Sequence, residues 1–350
     1  MITNYSPDTP TGVGIFIAAI AILIIVHELG HFIAARLVKV EVEEFGLGFP
    51  PRMVKLFTWK GTLFSLNWLP IGGFVRPKGE NDPNVEGGLA AANPWARIFV
   101  LLSGPAMNFL AASMLLTLLF MRIGHPVTDK VIIINVAANS PAANAGLMPD
   151  DLVVDINGRE IDSTDKLYNT ILANLDKEVD LTYLRDGELV TVSLVPRSEP
   201  PEGEGFIGIL MGNPRAPTKI GHAAVLSVDA IFSNMRALIS LPSRIIRGTM
   251  APSEGRLVGF KGMYDMYAQM DDVDNIIGFF ASISVSLGLL NLFPIPGLDG
   301  GRILFSLPEI ILRRRIPQRY EEALNFISIS LLLIMMFYVN LQDFLNPLDF

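Results

Sequence analysis

The chain has 350 residues, half of them hydrophobic, a net charge of −8 and no cysteine. That apolar share is high for a soluble domain and points to several membrane spans. Disulfides and thiolate metal ligands are excluded, so any metal must use histidine and carboxylate, and the acidic balance argues for no nucleic-acid partner.

Residues 1–13 contain no Lys or Arg, so no basic secretory signal is expected and the first apolar segment should stay in the mature protein. Four stretches offer close to the length that ~30 Å of hydrocarbon requires. They are 14–38, 98–121, 276–292 with a short helix following Gly301, and 324–341. Arg36, Lys39, Arg52, Lys55, Lys60, Arg76, Lys78 and Arg97 follow the first span, and Arg313, Arg314, Arg315 and Arg319 precede the fourth. The positive-inside rule then predicts both termini outside, 40–96 and 313–322 in the cytoplasm, and 122–272 outside. A fifth apolar stretch, 223–241, holds Asp229, Asn234 and Arg236, each costly at mid-bilayer. It is expected to lie on the outer leaflet as an amphipathic helix, with Ile231, Phe232, Met235, Leu238 and Ile239 toward lipid or the spans. The alternative is a helix packed on the outer domain.

His27-Glu28-Leu29-Gly30-His31 lies inside the first span. A helix places His27 and His31 one turn apart on one face, where two imidazoles can hold one metal ion, with Glu28 within reach of its water. Ionisable groups in hydrocarbon are costly and mark functional sites. The alternative is two buried, satisfied histidines that share this spacing by chance. Catalytic zinc takes three protein ligands and leaves a position for water. His125 and His222 fall in the outer segment, whereas Asn291-Leu292-Phe293-Pro294-Ile295-Pro296-Gly297-Leu298-Asp299-Gly300-Gly301 ends the third span. Its prolines break the helix, and broken backbone at membrane depth belongs in a protein interior or wet cavity. At ~1.5 Å per residue His27 and His31 lie about 18 and 24 Å below the outer surface, and the third span breaks at about 22 Å. Asp299 is therefore the candidate third ligand; it could also cap the helix that follows.

Residues 128–211 read as a small α/β domain. Strands are predicted at 131–136, 153–156, 179–184 and 189–195, and helices from Ser140-Pro141 to Gly146 and over 164–175. Asn157-Gly158 and Asp186-Gly187 are hairpin turns. In the basic loop, 53–69 alternates in strand fashion across Lys60-Gly61; the alternative is a solvated cytoplasmic hairpin.

His27-Glu28-x-x-His31 in the first span, with Asn291-x-x-Pro294-x-Pro296-x-Leu298-Asp299-Gly300 in the third, resembles the site-2 protease family of intramembrane zinc metalloproteases. Ser103-Gly104-Pro105-Ala106-Met107-Asn108 is similar to a further family feature. The four-span plan is similar to the bacterial regulator-of-sigma-E protease branch. Ser140-Pro141-Ala142-Ala143-x-Ala145-Gly146-Leu147-x-Pro149-x-Asp151 resembles a circularly permuted PDZ domain, which makes Gly205-Phe206-Ile207-Gly208-Ile209 the candidate peptide-binding strand or an ordinary final strand. Members of the branch can carry two such domains in tandem; sequence for one is found here. The match is weakest across 213–272.

The resemblance implies a multi-pass α-helical membrane protein with four transmembrane helices, a membrane re-entrant β element and an inserted α/β PDZ domain. The expected segments are 1–39 (first span), 40–96 (re-entrant β loop), 97–122 (second span), 128–211 (PDZ domain), 212–272 (membrane-associated), 273–312 (third span) and 313–350 (fourth span and tail). It implies Zn(2+) held by His27, His31 and Asp299, Glu28 as general base, and Asn291, Pro294, Pro296 and Asn108 as substrate-binding residues. The implied substrate is a single-span membrane protein in the lipid bilayer of a bacterial inner membrane, such as an anti-sigma factor already cut outside by another protease, or a remnant signal peptide. Two other classes remain open on the sequence: a metal transporter, which should show a polar path across the spans, and a catalytically silent PDZ scaffold.

Overall fold

The computed structural model describes residues 10–80, 82–201, 203–248 and 256–346, in two compact units, 120–219 and the remainder. The expected outside placement of both chain ends concerns 1–9 and 347–350, which lie outside the described residues.

The helical unit begins with α1 (Pro10–Leu37). No charged residue interrupts it between Thr11 and His27, so its surface is apolar all round. Next come β1 (Val42–Trp59) and β2 (Thr62–Pro77), longer than the expected 53–69. They turn at Lys60-Gly61, both at positive φ, as a two-residue hairpin requires. Residues 44–47 pair on both sides, with 63–66 and with 73–76, while 54–59 pair with 62–66. Two bent strands thus make a four-segment sheet with 73–77 at one edge. Phe32, Ala34 and Ala35 of α1 form a core with Val40, Val42 and Phe45. Glu44 is buried there and satisfied by Arg52 and Ser65 at 2.7 Å each and by Arg76 at 3.3 Å. Arg36 donates to the Lys60 carbonyl and Thr62 Oγ1, tying the end of α1 to the hairpin turn.

α2 (Pro94–Ile123) opens with proline at its first position, where no hydrogen bond is lost. It crosses α1 closely. A Cβ on Gly30 would stand 2.3 Å from the Ser103 carbonyl oxygen and 2.8 Å from Met107.

The second unit starts with β3 (His125–Pro126) and β4 (Val131–Val136). It continues with α3 (Pro141–Asn144), β5 (Leu152–Ile156), β6 (Arg159–Glu160), α4 (Thr164–Leu172), β7 (Val179–Arg185), β8 (Glu188–Leu194), β9 (Ile209–Gly212) and β10 (Arg215–Ala216). Ser140 and Ser163 cap α3 and α4. The main sheet runs β8-β7-β5-β4-β9, with β6 on β5. Ile133, Ile156, Leu167 and Leu181 are fully buried in its core, and burying such a side chain contributes roughly 1.5–3 kcal/mol. α4 ends at Leu172, three residues before the expected boundary. A second correction concerns Gly205, Phe206, Ile207 and Gly208: they form a turn, and the strand starts at Ile209. The Gly208 φ of +75° and the hydrogen bond from its N–H to the Gly205 carbonyl make the turn.

The helical unit resumes with α5 (Ile220–Ile246), α6 (Phe260–Ala268), α7 (Val273–Leu292), α8 (Asp299–Leu312) and α9 (Gln318–Leu345). α5 buries Ala223, Ser227 and Ile231, with Ser227 hydrogen-bonded to Ser113 of α2 at 2.7 Å. α6 was not expected. Its Tyr267 packs on Phe16 of α1 and Phe280 of α7. Its start is held by Asp343 of α9, which accepts from the Gly259 and Gly262 N–H groups and from Arg256. The early turns of α1 and α7 and the last turns of α9 therefore meet around α6. Among the described residues, five helices (α1, α2, α5, α7 and α9) are long and apolar enough to cross a membrane.

Substituting Gly30→Ala should separate α1 from α2 and cost about 1–3 kcal/mol through overpacking. Thermal unfolding in detergent checks this; an unchanged midpoint would contradict the close crossing.

Candidate metal centre

His27 and His31 occupy adjacent turns of α1, and their rings meet edge to face at 4.8 Å between centroids. Across from them α7 ends at Leu292, and 293–298 leads into α8. Gly300 and Gly301 let that turn close: a Cβ on either would fall within 2.4 Å of the backbone of 292–295. Asp299 is thereby the first residue of α8, with Leu298 at the capping position, so its side chain does not cap the helix. It turns instead to the histidines.

Asp299 Oδ2 lies 3.2 Å from His27 Nε2 and 3.3 Å from His31 Nε2, and the two Nε2 atoms are 3.2 Å apart. This oxygen is buried without a hydrogen-bond partner. Among the described residues no other cluster of three such groups is found. The triangle has the size zinc needs, since two ligand atoms at 2.0–2.1 Å from a tetrahedral ion stand about 3.3 Å apart.

The outer nitrogens of both rings are engaged. His31 Nδ1 lies 2.8 Å from the Val100 carbonyl, which accepts its proton and leaves Nε2 with a lone pair. His27 Nδ1 is 3.2 Å from the Asn108 amide. Asn108 is fully buried and its Oδ1 has no partner. A half-turn of that amide brings Oδ1 to His27 Nδ1–H, the tautomer that frees Nε2 for a metal. Gly104 makes the room. A Cβ there would stand 2.3 Å from His31 Nε2 and 2.8 Å from His27 Nε2.

Glu28 faces the sheet edge. A Cβ on Gly73 would lie 3.1 Å from Glu28 Cγ, and the Val75 backbone passes beside its carboxylate. Asn291 donates to the Leu287 carbonyl of its own helix at 3.0 Å, and Pro294 and Pro296 lie in the turn after α7. Reasoning from sequence did not find Gly104, Val100 or Gly73 as neighbours of the site. Gly104-Pro105 within an apolar span was the one available signal.

Residues 15–335 match the model of peptidase family M50. The chain belongs to family M50, the site-2 proteases. A Campylobacter jejuni relative whose name proposes a zinc metalloprotease is 32% identical over 349 residues, 93% of this chain and 91% of its own. A Clostridium acetobutylicum relative, similarly named, is 30% identical over 342 residues, 96% and 98% of the two chains. The Regulator of sigma-W protease RasP of Bacillus subtilis is 31% identical over 253 residues, 71% of this chain and 59% of RasP. A solved PDZ domain of an SdrC-like protein from Listeria monocytogenes is 23% identical, over 24% of this chain and 87% of that domain, with a TM-score of 0.22. As an M50 peptidase the chain is a zinc metalloprotease of a bacterial membrane, and its cofactor is Zn(2+).

Substituting Gly104→Ala should push a methyl group between the imidazoles. Elemental analysis of the folded variant should find a clear loss of zinc, from an affinity lowered by about 10–100-fold, the range that outer-shell changes cause. Full zinc content would contradict the geometry.

Proposed function

We propose that this M50 zinc protease cuts peptide bonds inside the bilayer, within transmembrane segments of single-span proteins. His27, His31 and Asp299 would hold the metal. The observation that carries the reading is their triangle of ligand atoms, each side 3.2–3.3 Å, inside an apolar helix bundle. Bound there, zinc would act as a Lewis acid toward the scissile carbonyl and lower the pKa of a water. Glu28, adjacent to His27 in sequence, takes the proton from the attacking water and returns it to the leaving amine. Asn108, expected as a substrate-binding residue, is fully buried against His27 and would orient that ring instead, while Asn291, Pro294 and Pro296 would shape the substrate side of the turn.

A helical substrate shields its peptide bonds, so it must be extended at the site. The edge segment 73–77 beside Glu28 supports this, because an added strand there would bring its backbone next to the base. Phe49, Met53, Leu56, Phe57, Trp59 and Trp68 of the same sheet are exposed, which suits a re-entrant element in contact with lipid. Capture of a peptide end outside the membrane is supported by the second unit. Beside edge strand β9 lies a cleft of about 240 Å³ lined by Tyr168, Ile171, Phe206, Ile207, Ile209 and Met211. We assign this unit as the PDZ domain, with residues 205–208 turning into the strand that would receive a peptide.

Four crossings fit the helix directions better than five. α1 and α7 begin on one side, around α6, and α9 ends there. A complete crossing by α5 would start α7 on the opposite side, so α5 is read as partly embedded against α2 and α7. With the basic connections in the cytoplasm, the PDZ domain lies outside. RasP is named as a regulator of sigma-W; with it in view we place this chain in regulated proteolysis, with an anti-sigma factor as the substrate class the sequence resemblance implies.

The test is cleavage of a transmembrane peptide in detergent, with and without chelator. Glu28→Gln should keep its zinc and lose about 10²–10⁴-fold in rate. A Glu28→Gln enzyme as fast as wild type would remove Glu28 from the chemistry.

A further inference from the structure

Asp299 stands at the start of α8, a helix whose apolar side chains are at most half-buried. Its buried positions are Gly300, Gly301 and Ser306, none with a large side chain. Leu304, Leu307, Ile311 and Leu312 are exposed. Between α8, the first turns of α2 and residues 80–90 lies a cleft of about 280 Å³. Charges bridge it. Arg302, one turn beyond Asp299, meets Glu80 at 2.5 Å. Glu309 pairs with Arg97 of α2 and, at 2.9 Å, with Arg315, which donates to the Ala90 carbonyl. The Glu80 and Arg302 side chains are 26% and 25% exposed, so their pair is screened less than one on an open surface.

Glu80 follows β2 by three residues. The same run of backbone passes Glu28, at Gly73 and Val75. Residues 73–80 therefore touch the base at one end and the helix of the third ligand at the other. The turn 293–298 fixes the first residue of α8 against the end of α7. A second fixed point is needed to set the direction of the helix, and no large side chain of α8 is fully buried to supply one.

We propose that Glu80 and Arg302 form a positioning pair that fastens α8 to the 73–80 strap, so that Asp299 and Glu28 keep a fixed separation across the metal centre. The proposal rests on the reading of Asp299 as a metal ligand. A misplacement of about 1 Å in such a site can cost 10²-fold in rate, so the pair acts on kcat and on metal retention, not on substrate affinity.

The experiment uses the full chain in detergent, loaded with zinc. Zinc loss to excess chelator is timed, and kcat and KM are measured on a transmembrane peptide, for wild type, Glu80→Gln and the swapped pair Glu80→Arg with Arg302→Glu. Glu80→Gln should lose zinc about 10–100-fold faster and lower kcat, with KM unchanged; the swap should recover much of both. Wild-type zinc loss and kcat in Glu80→Gln would overturn the pair, as would a folded swap no better than the single variant. If the swap fails to fold, Glu80→Gln alone decides. A wild-type enzyme that holds no zinc would instead overturn the ligand reading, and the pair with it.

Discussion

Three atoms bearing lone pairs, two imidazole nitrogens and a carboxylate oxygen, face one another at 3.2–3.3 Å inside a bundle of apolar helices. In that environment they repel unless positive charge lies between them, and their burial weakens the screening that bulk solvent gives. The rest of the helical unit can be understood as what assembles this triangle. α1 contributes two corners through the 3.6-residue period. The broken end of α7 brings the third from more than 260 residues away. α2 packs beside the histidines, thin at Gly104 and polar at Asn108, so that both rings are oriented through their outer nitrogens.

Close approach is bought with glycine. Gly30 allows α1 to meet α2, Gly104 leaves the space above the histidines, Gly73 lets the sheet edge reach Glu28, and Gly300-Gly301 fold α8 back against the end of α7. Four elements thus converge on one point with little side-chain bulk between them. The zinc chemistry proposed here would need that convergence, because Glu28 would have to reach a water while His27, His31 and Asp299 held the ion.

Much of this was legible in the sequence, for local reasons. The pair His27 and His31 shares a helix face by spacing alone, and Asp299 is the one carboxylate at the proline break of a span. The hairpin turns at Lys60-Gly61, Asn157-Gly158 and Asp186-Gly187 carry the positive φ values that their residue types suit. What escaped depends on partners distant in the chain. α6 has Phe260, Met263, Tyr264 and Tyr267 at helical spacing, but its first turn is capped by Asp343, more than eighty residues later. The doubled pairing of 44–47 follows from strands that bend, and alternation does not show bending. Residues 205–208 were expected in a strand because the PDZ resemblance puts the peptide-binding strand last, yet Gly208, at positive φ, closes a turn onto Gly205. The Glu80–Arg302 pair joins positions 222 apart.

Zinc K-edge X-ray absorption of the purified protein tests the central claim most directly. One zinc per chain should be seen, with nitrogen and oxygen neighbours alone at 2.0–2.2 Å and the outer-shell pattern of two imidazoles. A sample without zinc, or a spectrum with no imidazole contribution, would contradict it.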